Sequence, residues 1–205
     1  MTQKPFSMTN EVIKESINKW GDISRDGAAL VSYFEQGNSF FFDINRYEEE
    51  ILEDIHAYPG IYDGRLIFML IPSQYDKEEY AADIWKYVTP SPVIWSLGGG
   101  RIPEGIAKDR IERWNKNYKI WTPKQAATTD GMFLAFKIDA EDFELPDSQV
   151  NFALRKDTTD PLALSIIDLV ITNKDESKVF YDDFVTPVPP YNASAVPESF
   201  FLLSL

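Results

Sequence analysis

The sequence predicts an α+β fold: a mixed or mostly antiparallel sheet with helices packed on one side and a C-terminal third that forms a β-meander. Three observations predict it. Through most of residues 9–121 apolar side chains recur every three or four positions. From about residue 131 they gather into short extended runs. Those runs are separated by polar turn material such as TTD and NKDES. A chain of 205 residues, 44% hydrophobic and 14% aromatic, carries enough apolar surface to offset its conformational entropy. It is read as one domain over 1–205, helix-rich at 9–121 and strand-rich at 131–185, with an extended tail at 186–205.

The first helix is TNEVIKESINKWG. Thr9 or Asn10 caps it, Ile13, Ile17 and Trp20 share a face, and Gly21 ends it. DGAALVSYFEQ (26–36) follows as a second helix stopped by Gly37, and NSFFFDI (38–44) has strand composition. In RYEEEILEDIHAY (46–58), Tyr47, Ile51 and Ile55 fall on one helical face before Pro59-Gly60 breaks the pattern. GRLIFMLIP (64–72) then reads as a strand and DKEEYAADIWKYV (76–88) as another amphipathic helix.

TPSPVIWSL (89–97) is extended and, with Pro90 and Pro92 unable to donate to a ladder, belongs at a sheet periphery. PEGIAKDRIERWNKNYKIW (103–121) is the longest predicted helix, with Ala107, Ile111, Trp114, Tyr118 and Trp121 on its apolar stripe. The strands expected after it are 131–139, 149–156, 163–172 and 178–185. VTPVPPYN (185–192) makes a polyproline-like exit, after which the final apolar residues fold back on the body. The PxxP spacing of Pro187–Pro190 is read as part of this ordered tail.

Composition removes several chemistries. With no cysteine there is no disulfide, thiolate ligand or cysteine nucleophile. A single histidine, His56, rules out a multi-histidine zinc site within one chain. His56 is expected at a helix end, where an imidazole meets exposed carbonyls and the negative end of the dipole. The acidic stretch KIDAEDFELPD (137–147) lacks the spacing of a calcium loop. Neither a metal nor a cofactor is expected. The apolar runs are far shorter than the roughly 20 residues that span a bilayer, and the N-terminal residues lack the apolar core of a secretion signal. The expectation is a cytoplasmic protein without a membrane span.

SLGGGRIP (96–103) asks whether a glycine loop cradles a phosphate. A phosphate loop needs Lys followed by Ser or Thr, and a dinucleotide fingerprint needs GxGxxG spacing; GGGRIPEG has neither. The loop is read as a turn. The alternative is a generic anion site formed by Gly98, Gly99, Gly100, Arg101 and Arg110 at the start of the long helix. Residues 101–124 hold seven basic side chains against three acidic ones, a local +4 within a chain of −13, which leaves −17 for the remainder. The pairs Glu104–Lys108, Asp109–Arg113 and Glu112–Lys116 have the favourable acid-first i,i+4 order, so much of this helix reads as a solvated face and nucleic acid is not the expected partner.

Acidic side chains cluster at Glu48, Glu49, Glu50, Glu53 and Asp54 and again at 139–147. Like charges this close repel unless solvated or met by a basic partner. The favoured function is therefore a non-catalytic, immunity- or inhibitor-like interaction module binding a basic partner, with Tyr47, Glu48, Glu49 and Glu53 as the binding residues. The alternative is an enzyme or ligand-binding domain acting on a phosphorylated or sugar-like small molecule through Arg101, Arg110 and carboxylates.

Overall fold

The computed structural model describes residues 8–47, 52–95, 104–145, 148–156, 164–174, 179–182, 185–188 and 199–205. Helix α1 (Asn10–Ile23) starts at Thr9, whose side chain accepts from Val12 N–H, and buries Ile13, Ser16, Ile17 and Trp20. It runs two residues past Gly21, because the Trp20 indole N–H is anchored on Phe133 O at 2.8 Å and the last turn packs inward with it. Asp26 caps α2 (Gly27–Phe34) by accepting from the N–H groups of Ala28 and Ala29. Helix α3 (Glu104–Ala126) carries the predicted stripe into the core, with Trp114 fully buried.

Among the described residues, nine strands form an α+β fold with two antiparallel sheets and a C-terminal meander. One sheet has the order β1 (Ser39–Phe42), β6 (Ser148–Arg155), β7 (Ile166–Lys174), β8 (Val179–Asp182). The other has the order β4 (Thr89–Pro92), β3 (Arg65–Pro72), β2 (Asp54–Tyr62), β5 (Ala135–Asp139), β9 (Val185–Val188). The meander is β6–β7–β8. The 131–139 segment lies apart from it, since β5 pairs with β2 and β9. The polyproline-like exit also begins as a paired strand, β9.

The sheets face each other across an aromatic core. Phe40 of the first stacks on Phe68 of the second with ring centroids 4.2 Å apart, and Phe152 and Phe136 extend the contact. Burying a phenylalanine stabilises by about 2 kcal/mol, and well-oriented ring pairs add ~1 kcal/mol. The outer face of the second sheet is covered by Ile13 and Ile17 of α1 and by the C-terminal Phe200 and Leu202. The tail does fold back. Ala107 and Ile111 of α3 pack on Ala153 and Val170, the outer face of the first sheet.

Beyond the end of β1, α3 closes the exposed edge of β6. Phe152 N–H donates to Asn38 O at 2.7 Å. Two residues on, pointing the same way, Leu154 O accepts from Arg113 Nη1 at 2.6 Å.

Two predicted helices are replaced. Within 46–58 the chain makes a 3-10 turn at Ile44–Tyr47 and then β2, so His56 lies in a strand rather than at a helix end. Residues 55–61 are buried on both faces, one against the opposite sheet and the other against α1 and the C terminus. Pairing with β3 and β5 under that burial outweighs the helical preference of the glutamate run. Pro59 is tolerated because β5 pairs only with Asp54–Ala57. Over 76–88 two short 3-10 turns, Glu78–Tyr80 and Ile84–Lys86, replace the second predicted helix. There Tyr75 stacks on Tyr87 with centroids 3.9 Å apart, and Asn10 of α1 takes Ala81 O and Trp85 N–H. These tertiary bonds hold the segment in a shape an α-helix cannot reach.

Candidate functional site

The register of β2 and β5 creates an acidic corner. Asp54 and Asp139 are direct partners at the end of the ladder, and Ala140 N–H donates to Glu53 O at 3.1 Å just beyond it, which brings Glu53 and Glu141 to the same strand end. Two acidic clusters more than eighty residues apart in the chain thus meet at one end of the second sheet. Like charges directly opposite in a ladder are destabilising. Two contacts offset this: Lys137 Nζ lies 3.0 Å from Asp54, and the Asp139 carboxylate accepts the Glu141 N–H at 3.0 Å. Glu53 and Glu141 are exposed. Neither forms an ion pair among the described residues.

A cleft of about 620 Å³ opens beside this corner, lined by Glu53, Asp54, Lys137, Ser73, Lys77 and, on its inner wall, His56 and Phe200. His56 stacks on Phe200 with centroids 4.0 Å apart. Its Nδ1 is 2.7 Å from Asp76 Oδ2, the same oxygen that accepts the Tyr58 hydroxyl, while Leu202 N–H donates to Oδ1 at 3.0 Å. Asp76 is fully buried, so these donors replace the water it has lost. Burial, with the Asp76 charge second, pushes the Tyr58 phenol well above its ordinary range. The phenol therefore stays a neutral donor. The cluster ties β2, the loop after β3 and the C-terminal residues together, and it is the wall on which the acidic corner rests.

Of the residues predicted to bind a partner, Glu53 stands exposed at the corner and lines the cleft. Tyr47 is largely buried. It is 7% exposed, packs on Phe42 and donates its hydroxyl to Tyr87 O at 2.7 Å. Glu48 and Glu49 lie outside the described residues, as do Gly98, Gly99, Gly100 and Arg101.

Arg110 lies in a second cleft, of about 350 Å³, between α3 and the ends of β6 and β7. Its Nη1 is 2.8 Å from the buried Asp168 carboxylate. Arg113, Arg155 and Lys156 line the same cleft, none of them singled out by sequence as ligand-binding. Two of the three predicted i,i+4 pairs on α3 form, Asp109–Arg113 and Glu112–Lys116; the third involves Glu104, whose side chain is outside the described set.

Among the described residues no group of three or more His, Asp or Glu side chains is arranged to hold a metal, and no helix is long and apolar enough to cross a membrane. Comparison of the chain with protein-family models, with curated proteins and with solved structures returned no match, so the functional reading rests on this chain's own geometry.

Proposed function

We propose that the protein is a non-catalytic interaction module, immunity- or inhibitor-like in action, that binds a basic protein partner through the acidic corner at Glu53, Asp54, Asp139 and Glu141. The observation that carries this reading is the Asp54–Asp139 opposition in the β2–β5 register. Lys137 and the Glu141 N–H engage the two opposed carboxylates, but the flanking Glu53 and Glu141 side chains have no ion-pair partner among the described residues. The arrangement becomes favourable when Lys or Arg side chains of a partner approach it. With a net charge of −13, the rest of the chain steers such a partner inward from a distance. Glu48 and Glu49, five and four residues before Glu53 in the chain, belong to the same acidic run of the sequence.

The test is retention of proteins from native lysate on the immobilised chain at low and high salt, followed by titration of each purified retained protein against the wild type and a Glu53→Lys, Glu141→Lys variant. The expected result is a basic partner whose affinity falls with salt and collapses on charge reversal. A partner that binds both proteins equally would overturn the assignment.

A further inference from the structure

We propose that the basic cleft between α3 and the ends of β6 and β7 is a binding site for a small organic phosphate, independent of the acidic corner. Four cations line it, Arg110, Arg113, Arg155 and Lys156, against the carboxylate of Asp109 in the lining and that of Asp168 behind Arg110. Among the described residues this leaves a local excess of positive charge, in a chain whose net charge is −13. Arg155 and Lys156 are exposed and form no ion pair among the described residues.

The geometry is built from opposite sides. Arg155 and Ile166 are partners in the β6–β7 register, so one strand pair presents a cation beside an apolar side chain. Across the gap, α3 supplies Arg110 and Arg113, three residues apart and so adjacent on one helix face. The guanidinium of Arg113 is fixed, with Nη1 on Leu154 O at 2.6 Å and Nη2 on Asp109. Arg110 is fixed by Asp168 at 2.8 Å. Held guanidiniums lose less rotamer freedom on meeting an anion, and a fork of N–H donors matches phosphate oxygens better than a lone ammonium does.

Two further features select the ligand class. The cleft holds about 350 Å³, within the range of small-molecule sites. A long polyanion would run onto the acidic remainder of the surface. Ile106 and Ile166 line the cleft beside the cations, so a phosphate attached to an apolar body gains burial that inorganic phosphate does not.

The experiment is calorimetric titration of the full chain with phenyl phosphate, inorganic phosphate and phenol. Phenyl phosphate is expected to bind saturably at one site, inorganic phosphate more weakly and phenol not at all. An Arg155→Ala, Lys156→Ala double variant should weaken phenyl phosphate by about tenfold or more, with an unchanged melting temperature because both residues are exposed. Ile106→Ser should narrow the difference between phenyl phosphate and inorganic phosphate. A Lys14→Ala, Lys174→Ala variant is the charge-matched control and should bind as the wild type does. Absence of saturable binding, or equal loss in the control variant, would overturn the proposal. Retention of a basic partner by the Arg155→Ala, Lys156→Ala variant would show that the two sites are separate.

Discussion

His56 Nδ1 and Asp76 Oδ2 stand 2.7 Å apart in the protein interior, and the same carboxylate gathers Tyr58 from β2 and the Leu202 N–H from the C terminus. A carboxylate with three donors at full burial is a structural junction: each donor lost leaves a buried polar group unpaired. Asp76→Asn keeps the shape but sets an amide against groups that all donate in the native arrangement. We expect it to lower stability by about 3 kcal/mol and to free the C-terminal residues from the second sheet. Urea unfolding monitored by tryptophan fluorescence measures the first effect, and protease sensitivity near residue 200 the second.

Tyr58 makes the same junction sensitive to alkali. Its phenol is raised well above 10.0 in the folded protein, whereas the unfolded chain titrates near that value. The folded state therefore holds the proton more tightly. The stability this contributes is fully present below pH 10 and is lost as pH rises toward the folded value. The urea midpoint should fall above about pH 10, and Tyr58→Phe should flatten that fall while lowering stability at neutral pH by ~1–2 kcal/mol through the lost hydrogen bond. An alkaline fall of equal steepness in the variant would place its origin elsewhere.

Helix α1 sits on β2 at a contact that admits no side chain. A Cβ on Gly60 would lie 2.4 Å from Met69 Cε and 3.1 Å from Ser16 Cβ. Met69 can swing its terminal methyl aside, but Ser16 is part of the helix, and its hydroxyl is bonded to Val12 O. Gly60→Ala should cost about 1–3 kcal/mol by pushing α1 outward. Chemical denaturation checks this, and a paired Met69→Ala change should not restore the loss.

The helices were legible where one face alone is buried. The 3.6-residue period of Ile13, Ile17 and Trp20, and that of Ala107 through Trp121, map onto α1 and α3 because each helix lies over a sheet and turns its other side outward. β2 was hidden for the opposite reason. Buried on both faces, it shows no alternation, and the glutamates just before it imitate a helix start. Its available signal was Asp63-Gly64, which has positive φ at both residues (48° and 72°) and joins Tyr62 to Arg65 as a two-residue hairpin turn.

The site was less legible than the fold because it depends on register. Glu53 and Glu141 were each visible as members of an acidic run, but only the pairing of Asp54 with Asp139 joins the runs. Asp76 read as the first residue of a helix because nothing local marks it as the partner of His56. Arg155 likewise reaches Arg110 only through the docking of α3 against β6.

Under the proposed function the acidic corner should weaken the fold while favouring a basic partner. Glu53 and Glu141 flank two carboxylates already opposed across the ladder, and no cation is paired with either among the described residues. Replacing both with glutamine removes repulsion without removing a hydrogen bond to a side chain. Stability should therefore rise, by ~0.3 kcal/mol at low ionic strength. The gain should vanish in high salt, where charges are screened over about 3 Å rather than the roughly 10 Å of dilute buffer. Affinity for a basic partner should move the other way, falling most at low salt through a slower association rate. Urea midpoints and stopped-flow association, measured on the same variant at two salt concentrations, give both quantities. A corner that is only solubilising would yield the stability gain with no change in association. A loss of stability would mean that these carboxylates support the fold, and the opposition of Asp54 and Asp139 would then need an internal explanation.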